Sequence, residues 1–209
     1  MLSNKINPNL FTAPQLGKII SEAIIFFENT QVMRLPPNDS FSGAGVYGIY
    51  YNGDYPPYKV LSDLNKSRYC LPIYVGKAVP PGWRTARSSK KTSTDLFRRL
   101  TEHAKSINSA TNLKLNNFSC RYIILSGEEA NLISSVEAYI IRKYKPLWNN
   151  IIDGFGNHDP GKGRSGQKKS EWDIIHPGRA WVNKLTGVSV SKEKILKKIE
   201  TYMKDLDAS

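Results

Sequence analysis

Hydrophobic residues recur along this chain with two different periods, and each period predicts a different kind of element. Helical spacing of apolar residues predicts an amphipathic helix over residues 14–28, which ends before the proline-containing loop 35–40. Runs rich in β-branched and aromatic residues predict three strands, at 45–51, 70–76 and 118–126. Further helices are predicted at about 93–107, at 128–144 and from residue 191 onwards. The central order β-β-α-β-α indicates a small sheet with helices packed against it.

The composition fits one domain with a real core and argues against two classes of protein. Of the 209 residues, 40% are hydrophobic, which is enough apolar material to bury a core. No run approaches the roughly 18 apolar residues of a membrane helix, and residues 1–18 lack the pattern of a secretory signal. Cys70 and Cys120 form neither a metal-ligand pair nor a disulfide framework. We therefore expect neither a membrane protein nor a secreted one, and the default setting is the reducing cytoplasm.

The charge balance points to a polyanionic partner. The chain has 30 Lys and Arg residues against 18 Asp and Glu residues, which gives a net charge of +12. Two loop-like segments carry much of this excess: residues 77–94 hold five basic residues and no acid, and residues 154–170 are basic and rich in glycine. Such clustering is typical of a nucleic-acid-binding protein. A solvated basic surface is the simpler alternative.

Six residues of the β-β-α-β-α region are candidates for chemistry: Tyr47, Tyr74, Arg99, His103, Glu137 and Asn149. The two tyrosines lie on strands that should be neighbours in the sheet. Arg99 and His103 are four residues apart on the next helix, so both side chains project in the same direction. Glu137 lies among isoleucines on the following helix. A carboxylate in such a place needs a cationic partner, which could be a metal ion or Arg99.

Each of these residues also has a purely structural explanation. The tyrosines can be ordinary strand residues, Arg99 can be solvated, and the histidine can be a satisfied core residue. Glu137 can be an ion-pair partner of Arg99, and Asn149 can belong to a turn. The remaining histidines, His158 and His176, are too isolated for a zinc site. The ordered combination of six residues is what favours a functional site.

In type and order, these residues resemble the motifs of the GIY-YIG nuclease superfamily. GVY at 45–47 is similar to its first motif, YVG at 74–76 is similar to its second, and the other four residues match its later catalytic positions. The resemblance covers about residues 43–150. It implies an α+β fold with a small, three-stranded, mainly antiparallel sheet flanked by helices. We expect one domain over residues 1–209, made of a helical extension (1–42), a catalytic core (43–150) and a C-terminal DNA-contacting and helical extension (151–209).

Two insertions, at 51–68 and 77–92, separate the motifs more widely than is usual in the superfamily. They resemble the insertions of its Type II restriction endonucleases, which read DNA without a separate DNA-binding domain. Residues 156–181 are also similar to the group of restriction enzymes that cut the palindrome CCGCGG. The basic segments and this tail are therefore expected to contact DNA, through Arg84, Arg87, Lys90, Lys91, Lys162, Arg164, Lys168 and Arg179.

The resemblance implies a role for each residue in Mg²⁺-dependent hydrolysis of a phosphodiester. Glu137 is expected to be the only protein ligand of one Mg²⁺ per active site, which Mn²⁺ can replace, because Mg²⁺ keeps most of its waters. Arg99 is expected to clamp the scissile phosphate. Tyr74 is expected to orient the water or the phosphate, and Asn149 to brace the site.

The general base has two candidates, Tyr47 and His103. A phenol has a pKa of about 10, so Tyr47 needs nearby positive charge to act as a base near neutral pH. Lys77, His103 or the metal is expected to supply it. Lys77, which directly follows the second motif, is alternatively a phosphate contact.

The expected protein is a Type II restriction endonuclease of the prokaryotic cytoplasm that cuts double-stranded DNA at a short, GC-rich palindrome. A two-fold homodimer on DNA would match the symmetry of such a site. A cognate DNA methyltransferase is expected as a genetic partner and not as a stable complex. Two alternatives stay open: a structure-specific or repair nuclease of the same superfamily, which lacks palindrome selectivity, and a DNA-binding module without catalysis.

Overall fold

In the computed structural model, which describes residues 9–80, 82–83, 93–161, 163 and 165–208, an antiparallel sheet has helices on both faces. Its strands are β1 (Met33–Arg34), β2 (Gly45–Tyr51), β3 (Tyr74–Ala78) and β4 (Phe118–Ile124). They lie in the order β1-β4-β2-β3. The helices are α1 (Pro14–Asn29), α2 (Lys59–Ser67), α3 (Asp95–Ser109), α4 (Ile133–Tyr144), α5 (Leu147–Asn150), α6 (Glu171–Ile175) and α7 (Lys192–Asp207). Turns of 3₁₀ helix occur at Pro56–Tyr58, Leu115–Asn117, Gly127–Leu132 and Ala180–Lys184.

This architecture confirms the expected α+β class and corrects the number of strands. The described residues form four strands and not three, because Met33 and Arg34 pair with β4. Two residues are too few to show a period of two, so the pattern of the sequence did not predict this strand. The second predicted strand begins at Tyr74 and not at residue 70. Pro72 precedes it, and proline has no N–H to donate to a sheet.

The central strand β2 explains why the two faces of the sheet have separate cores. All seven of its residues are buried, and successive side chains of a strand point to opposite faces. Tyr47, Ile49 and Tyr51 belong to one buried cluster, which also contains residues of α3 and α5–α7. Val46 belongs to the other cluster, with residues of α1 and α4. A strand covered on both faces reads as a continuous apolar run, as GVYGIYY does.

The C-terminal extension contributes to the same core as the tyrosine motifs. Trp172 of α6 and Ile195 and Ile199 of α7 are fully buried in the cluster that contains Tyr47. The insertion at 51–68 also contributes, because it contains α2, whose Leu61 is fully buried there. The chain after residue 150 is therefore packed against the face of the sheet that carries Tyr47. Within the described part of the chain, no helix has the length and apolar character needed to cross a membrane.

Candidate active site

The two tyrosine motifs are neighbours in the sheet, with Tyr47 on β2 directly opposite Gly76 on β3. A Cβ atom on Gly76 would lie only 2.4 Å from the hydroxyl oxygen of Tyr47, which is much too close for a non-bonded contact. The glycine therefore lets the Tyr47 side chain lie across β3. The ring centroids of Tyr47 and Tyr74 are 6.3 Å apart. The register of the pairing between β2 and β3 thus brings the two phenols to the same face of the sheet.

Helix α3 places His103 against Tyr47. The hydroxyl oxygen of Tyr47 and Nε2 of His103 are 2.6 Å apart, and the two residues are 0% and 2% exposed. Burial lowers the pKa of His103 well below its usual value, and the positive charge of Arg99 lowers it further. His103 is therefore neutral and has one ring nitrogen that can accept a proton.

The pKa of Tyr47 differs from the expectation. Burial raises it well above 10, the nearby phenol of Tyr74 raises it further, and Arg99 opposes this only in part. Lys77 does not lower it, because its ammonium group lies on the carboxylate of Glu137. His103 does not lower it either, because a neutral imidazole carries no positive charge. The protein groups around Tyr47 therefore hold its hydroxyl in the protonated form.

The guanidinium of Arg99 lies beside this pair and is fixed by a loop that follows α5. Its Nη2 donates to the carbonyl oxygen of Gly156 at 3.1 Å, and its Nη1 donates to Nε2 of His158. Nη1 also lies 3.2 Å from Oε2 of Glu102 on the same helix. The side chain of Arg99 is 23% exposed, so part of the group still faces solvent, where a phosphate could bind.

Phe155 closes the site from the side of the same loop. Its ring stacks on the imidazole of His103 with a centroid distance of 4.6 Å, and it meets the ring of Tyr74 edge-on at 4.9 Å. These contacts explain why water does not reach the Tyr47–His103 pair. The sequence pattern gave no functional role to Phe155 or Gly156, and His158 was set aside as too isolated for a zinc site. Only the glycine-rich character of the loop could have drawn attention to them.

Glu137 lies on the opposite face from the Tyr47 ring, and its partner is Lys77. Oε2 of Glu137 is 2.6 Å from Nζ of Lys77, with the two side chains 18% and 35% exposed. Of the alternatives that the sequence left open for the partner of Glu137, a metal ion or Arg99, the structure shows neither: the protein cation beside the carboxylate is Lys77. Val75 of β3 packs against α4, and Lys77, two residues further on, points to the same face. The negative charge of Glu137 still reaches the phenols, since it contributes to raising the pKa of both Tyr47 and Tyr74.

The residues present fit a site for one hard cation with a single protein ligand. Glu137 offers a partly exposed carboxylate that already attracts a cationic group, the ammonium of Lys77. Among the described residues, no group of three or more His, Cys, Asp or Glu side chains could hold a metal ion. A closed, all-protein cage therefore does not exist in this part of the chain. Mg²⁺ often binds through one or two carboxylates while it keeps several waters.

Asn149 of α5 holds the edge strand β3 in place. Its side-chain amide donates to the carbonyl oxygen of Val75, and its side-chain oxygen accepts from the N–H of Val75, each at 2.8 Å. The amide thus pairs with β3 in the way that the backbone of a further strand would. Since β3 carries Tyr74 and Lys77, Asn149 fixes the strand that presents two site residues.

The residues expected to contact DNA are only partly described. Lys168 is exposed and lines a polar cleft of about 520 Å³ together with Asn157, His158 and Gln167. The cleft therefore adjoins the loop that holds Arg99. The other candidates in the two basic loops lie outside the described residues: Arg84, Arg87, Lys90, Lys91, Lys162 and Arg164.

Arg179 is the exception, because the structure contradicts its expected contact with DNA. The residue is 5% exposed, and its Nε donates to Oδ1 of Asp173 at 2.7 Å. Its Nη atoms donate to the carbonyl oxygens of Gly154, Phe155 and Asn157. Four of its five N–H groups are therefore used inside the protein.

A sheet in which the first tyrosine motif pairs with the second, with a histidine and an arginine from the next helix beside them, defines a nuclease of the GIY-YIG type. The family model described as the Eco29kI GIY-YIG domain matches residues 39–203, and the chain belongs to this family of Type II restriction endonucleases. A comparison with curated proteins found no significant match. The membership confirms the expected superfamily and branch, and it makes DNA the polyanion that the basic charge predicts.

Proposed function

We propose that this protein is a Mg²⁺-dependent Type II restriction endonuclease that hydrolyses both strands of DNA at a short, GC-rich palindrome similar to CCGCGG. The observation that carries the proposal is the buried Tyr47–His103 pair beside Arg99. An acid–base pair next to a partly exposed guanidinium is what hydrolysis of a phosphodiester requires. Membership of a restriction enzyme family supports the same reaction class.

In this proposal Arg99 binds the scissile phosphate through the part of its guanidinium that faces solvent. The phosphate gains negative charge as the water attacks, and a fixed guanidinium stabilises that charge without having to reorganise. Tyr74, whose ring lies beside those of Tyr47 and His103, orients the phosphate or the water. Asn149 acts indirectly, because it holds the strand that carries Tyr74.

Tyr47 is buried in the DNA-free protein, so this proposal requires DNA binding to admit one water to its hydroxyl. The proton of that water then passes to the oxygen of Tyr47 as the water attacks, while the hydroxyl proton of Tyr47 passes to Nε2 of His103. The 2.6 Å contact between the two residues supports this relay. Because Tyr47 gives up one proton as it accepts another, the phenol never has to exist as a free phenolate. A relay of this kind does not need the lowered pKa that a tyrosine acting alone as the base requires. The bond from phosphorus to the 3′ oxygen breaks as the bond to the water oxygen forms, and the departing 3′ oxygen takes a proton from solvent; a metal held by Glu137 would stabilise its charge.

Glu137 is the proposed ligand of Mg²⁺, with Mn²⁺ as a substitute. When bound there, the metal would supply positive charge for a phosphate oxygen and lower the pKa of a water. For this to happen, the ammonium of Lys77 has to leave Oε2 of Glu137. Its side chain is 35% exposed, so it can swing towards solvent and towards the DNA backbone.

Cleavage of both strands of a palindrome is proposed to need two copies of the chain, because one chain contributes one such site. Helix α1 is the proposed contact surface between the two copies. It exposes four large apolar side chains, Leu16, Ile19, Ile25 and Phe26. Light scattering of Glu137→Gln with a short cognate duplex should give two chains per duplex. Phe26→Ser should weaken this assembly, whereas Val188→Ser, which removes an apolar side chain that is 95% exposed elsewhere, should not.

Recognition of the bases is proposed to come from the basic loops and the polar cleft. Arg or Lys contacts to guanine O6 and N7 in the major groove are worth about 1–3 kcal/mol each. Loss of a phosphate contact instead weakens binding to every sequence about equally. Alanine variants of Arg84, Arg87, Arg164 and Lys168 should therefore lower cognate affinity more than non-specific affinity at one or more positions. Equal losses at all four positions would assign these loops a purely electrostatic role.

The proposal is tested by incubating the purified protein with plasmid and genomic DNA in Mg²⁺, in Mn²⁺ and in chelator. Sequencing of the ends should give one palindrome and one stagger. Metal-dependent ends without a common sequence would instead support a structure-specific or repair nuclease, and no cleavage of any DNA would support a binding module. An enzyme that cuts a palindrome in the prokaryotic cytoplasm would also cut the DNA of its own cell, so a methyltransferase must protect those sites. Methylated DNA should therefore resist cleavage.

A further inference from the structure

We propose that Arg179 is a positioning residue for Arg99 and that it acts through residues 154–158, which we call the strap. The inference rests on the proposed nuclease activity. It assigns to Arg179, about 20 positions beyond the strap, a role in orienting Arg99, the residue proposed to bind the phosphate. Three observations carry it: the anchoring of the strap by Arg179, the contact of the strap with Arg99, and the close fit of Gly156.

Arg179 holds the strap by its backbone. Its guanidinium donates to the carbonyl oxygens of residue 154 at 2.9 Å and of residues 155 and 157 at 3.1 Å. Its Nε donates to Asp173 at 2.7 Å, and the rings of Trp172 and Trp181 lie 4.7 and 4.9 Å from its central carbon. A planar fork with five N–H groups can reach three carbonyl oxygens and a carboxylate at once, and an ammonium group cannot.

The one strap carbonyl between these anchors, that of Gly156, accepts from Nη2 of Arg99 at 3.1 Å. His158, at the end of the strap, contacts Nη1 of the same guanidinium. Arg99 therefore meets a backbone acceptor whose neighbours on both sides are fixed by Arg179. A long, partly exposed arginine has many rotamers, and these contacts select one of them before any phosphate binds.

Gly156 shows how closely the strap fits the site. A Cβ atom there would lie 2.9 Å from the hydroxyl oxygen of Tyr74 and 3.4 Å from Nη2 of Arg99. A methyl group would therefore push against the hydroxyl of Tyr74 and come into van der Waals contact with Arg99. Because the carbonyl oxygen of Gly156 is hydrogen-bonded to Nη2 of Arg99, a displacement of the strap changes where Arg99 points.

The experiment compares cleavage by Arg179→Lys in two backgrounds, with Arg99 present and with Arg99→Ala, under single-turnover conditions. Here kcat stands for the rate constant at saturating protein and KM for the protein concentration that gives half of that rate. With Arg99 present, kcat should fall at least about tenfold while KM stays within about twofold, because the clamp is misplaced and not removed. In the Arg99→Ala background the same substitution should cost no more than about threefold, because the residue through which it acts is gone. Equal losses in the two backgrounds, or no loss in the first, would overturn the proposal.

A second variant and a matched control separate positioning from stability. Gly156→Ala leaves the buried anchor intact and should also lower kcat by about tenfold without a change in KM. Arg121→Lys makes the same replacement at a half-buried arginine on β4, and its kcat should match the unmodified protein. Hydrogen exchange supplies a readout without DNA: amides of the strap should exchange faster in Arg179→Lys, and unchanged exchange would contradict the anchoring. Absence of cleavage by the unmodified protein would refute the nuclease function, whereas the exchange result would still decide the anchoring.

Discussion

The hydroxyl oxygen of Tyr47 and Nε2 of His103 lie 2.6 Å apart, and both groups are closed off from water. The contact joins the central strand β2 to helix α3. Burial favours the neutral form of each partner, because it raises the pKa of the phenol and lowers the pKa of the imidazole. The resting pair therefore holds one hydroxyl proton and one free acceptor, and a proton can move between them without creating an isolated charge.

Tyr47→Phe should slow cleavage by at least about a hundredfold, the usual scale for the loss of an acid–base group. Affinity for DNA should stay nearly unchanged, since the phenol is buried and the ring is retained. The measurement is single-turnover cleavage beside equilibrium binding. Tyr50→Phe is the matched control, because it removes a buried phenol from the same strand and should cut normally. Normal cleavage by Tyr47→Phe would assign the base to another group, with His103 the first candidate.

Glu137→Gln should abolish Mg²⁺-dependent cleavage and leave DNA binding largely intact. The substitution removes the negative charge that would hold the cation but keeps the size of the side chain. Removal of a charge-stabilising group costs about a hundredfold or more in rate. The matched control is Glu200→Gln on α7, which should cut at the normal rate. Among the described residues, Glu200 forms an ion pair only with Lys204. Near-normal cutting by Glu137→Gln would refute this residue as the metal ligand.

Local patterns in the sequence were sufficient to place most of the site. The apolar run of residues 45–51 predicted β2, and a spacing of four predicted that Arg99 and His103 share a helical face. His103 is indeed buried and Arg99 partly so. The alternation of side chains along β3 could also have predicted the contact between Lys77 and Glu137. Lys77 and Val75 are two residues apart and so point to the same face, where Val75 packs against the helix that carries Glu137.

The contacts of the C-terminal extension could not be predicted in this way. Phe155 reaches His103 across more than 50 positions of sequence, through a loop that has no period to interpret. Arg179 was expected to contact DNA because residues 156–181 resemble the corresponding segment of restriction enzymes that cut CCGCGG. Arginine is also rarely buried. Only the tertiary structure brings together the carboxylate, the carbonyl oxygens and the indole rings that make its burial favourable.

Two buried neutral histidines should make the protein less stable as the pH falls. The pKa of His176 is lowered by burial to about 3, and that of His103 is also lowered far below 6.5. Below pH 6.5 the unfolded chain binds protons at both positions and the folded chain does not, so acid favours unfolding. Burial of His176 should remove about 2 kcal/mol from the free energy of unfolding between pH 7 and pH 5, and His103 should add to this loss in the same direction.

Urea unfolding at pH 7, 6 and 5 measures this dependence. In His176→Gln the loss between pH 7 and pH 5 should be smaller by about 2 kcal/mol, whatever the absolute stability of the variant. A stability that does not change between pH 7 and pH 5 would mean that these two histidines are not neutral in the folded protein.

The ammonium of Lys77 lies 2.6 Å from Oε2 of Glu137, where it competes with any cation that this carboxylate binds. Lys77→Met should therefore tighten the binding of Mn²⁺ to the DNA-free protein about fivefold, which corresponds to about 1 kcal/mol for a partly exposed ion pair. A titration followed by the EPR signal of free Mn²⁺ measures this. Lys198→Met removes another lysine that pairs with a glutamate, Glu171, and should leave the affinity unchanged. Equal tightening in both variants would indicate only a general effect of net charge, and weaker binding in Lys77→Met would place the metal away from Glu137.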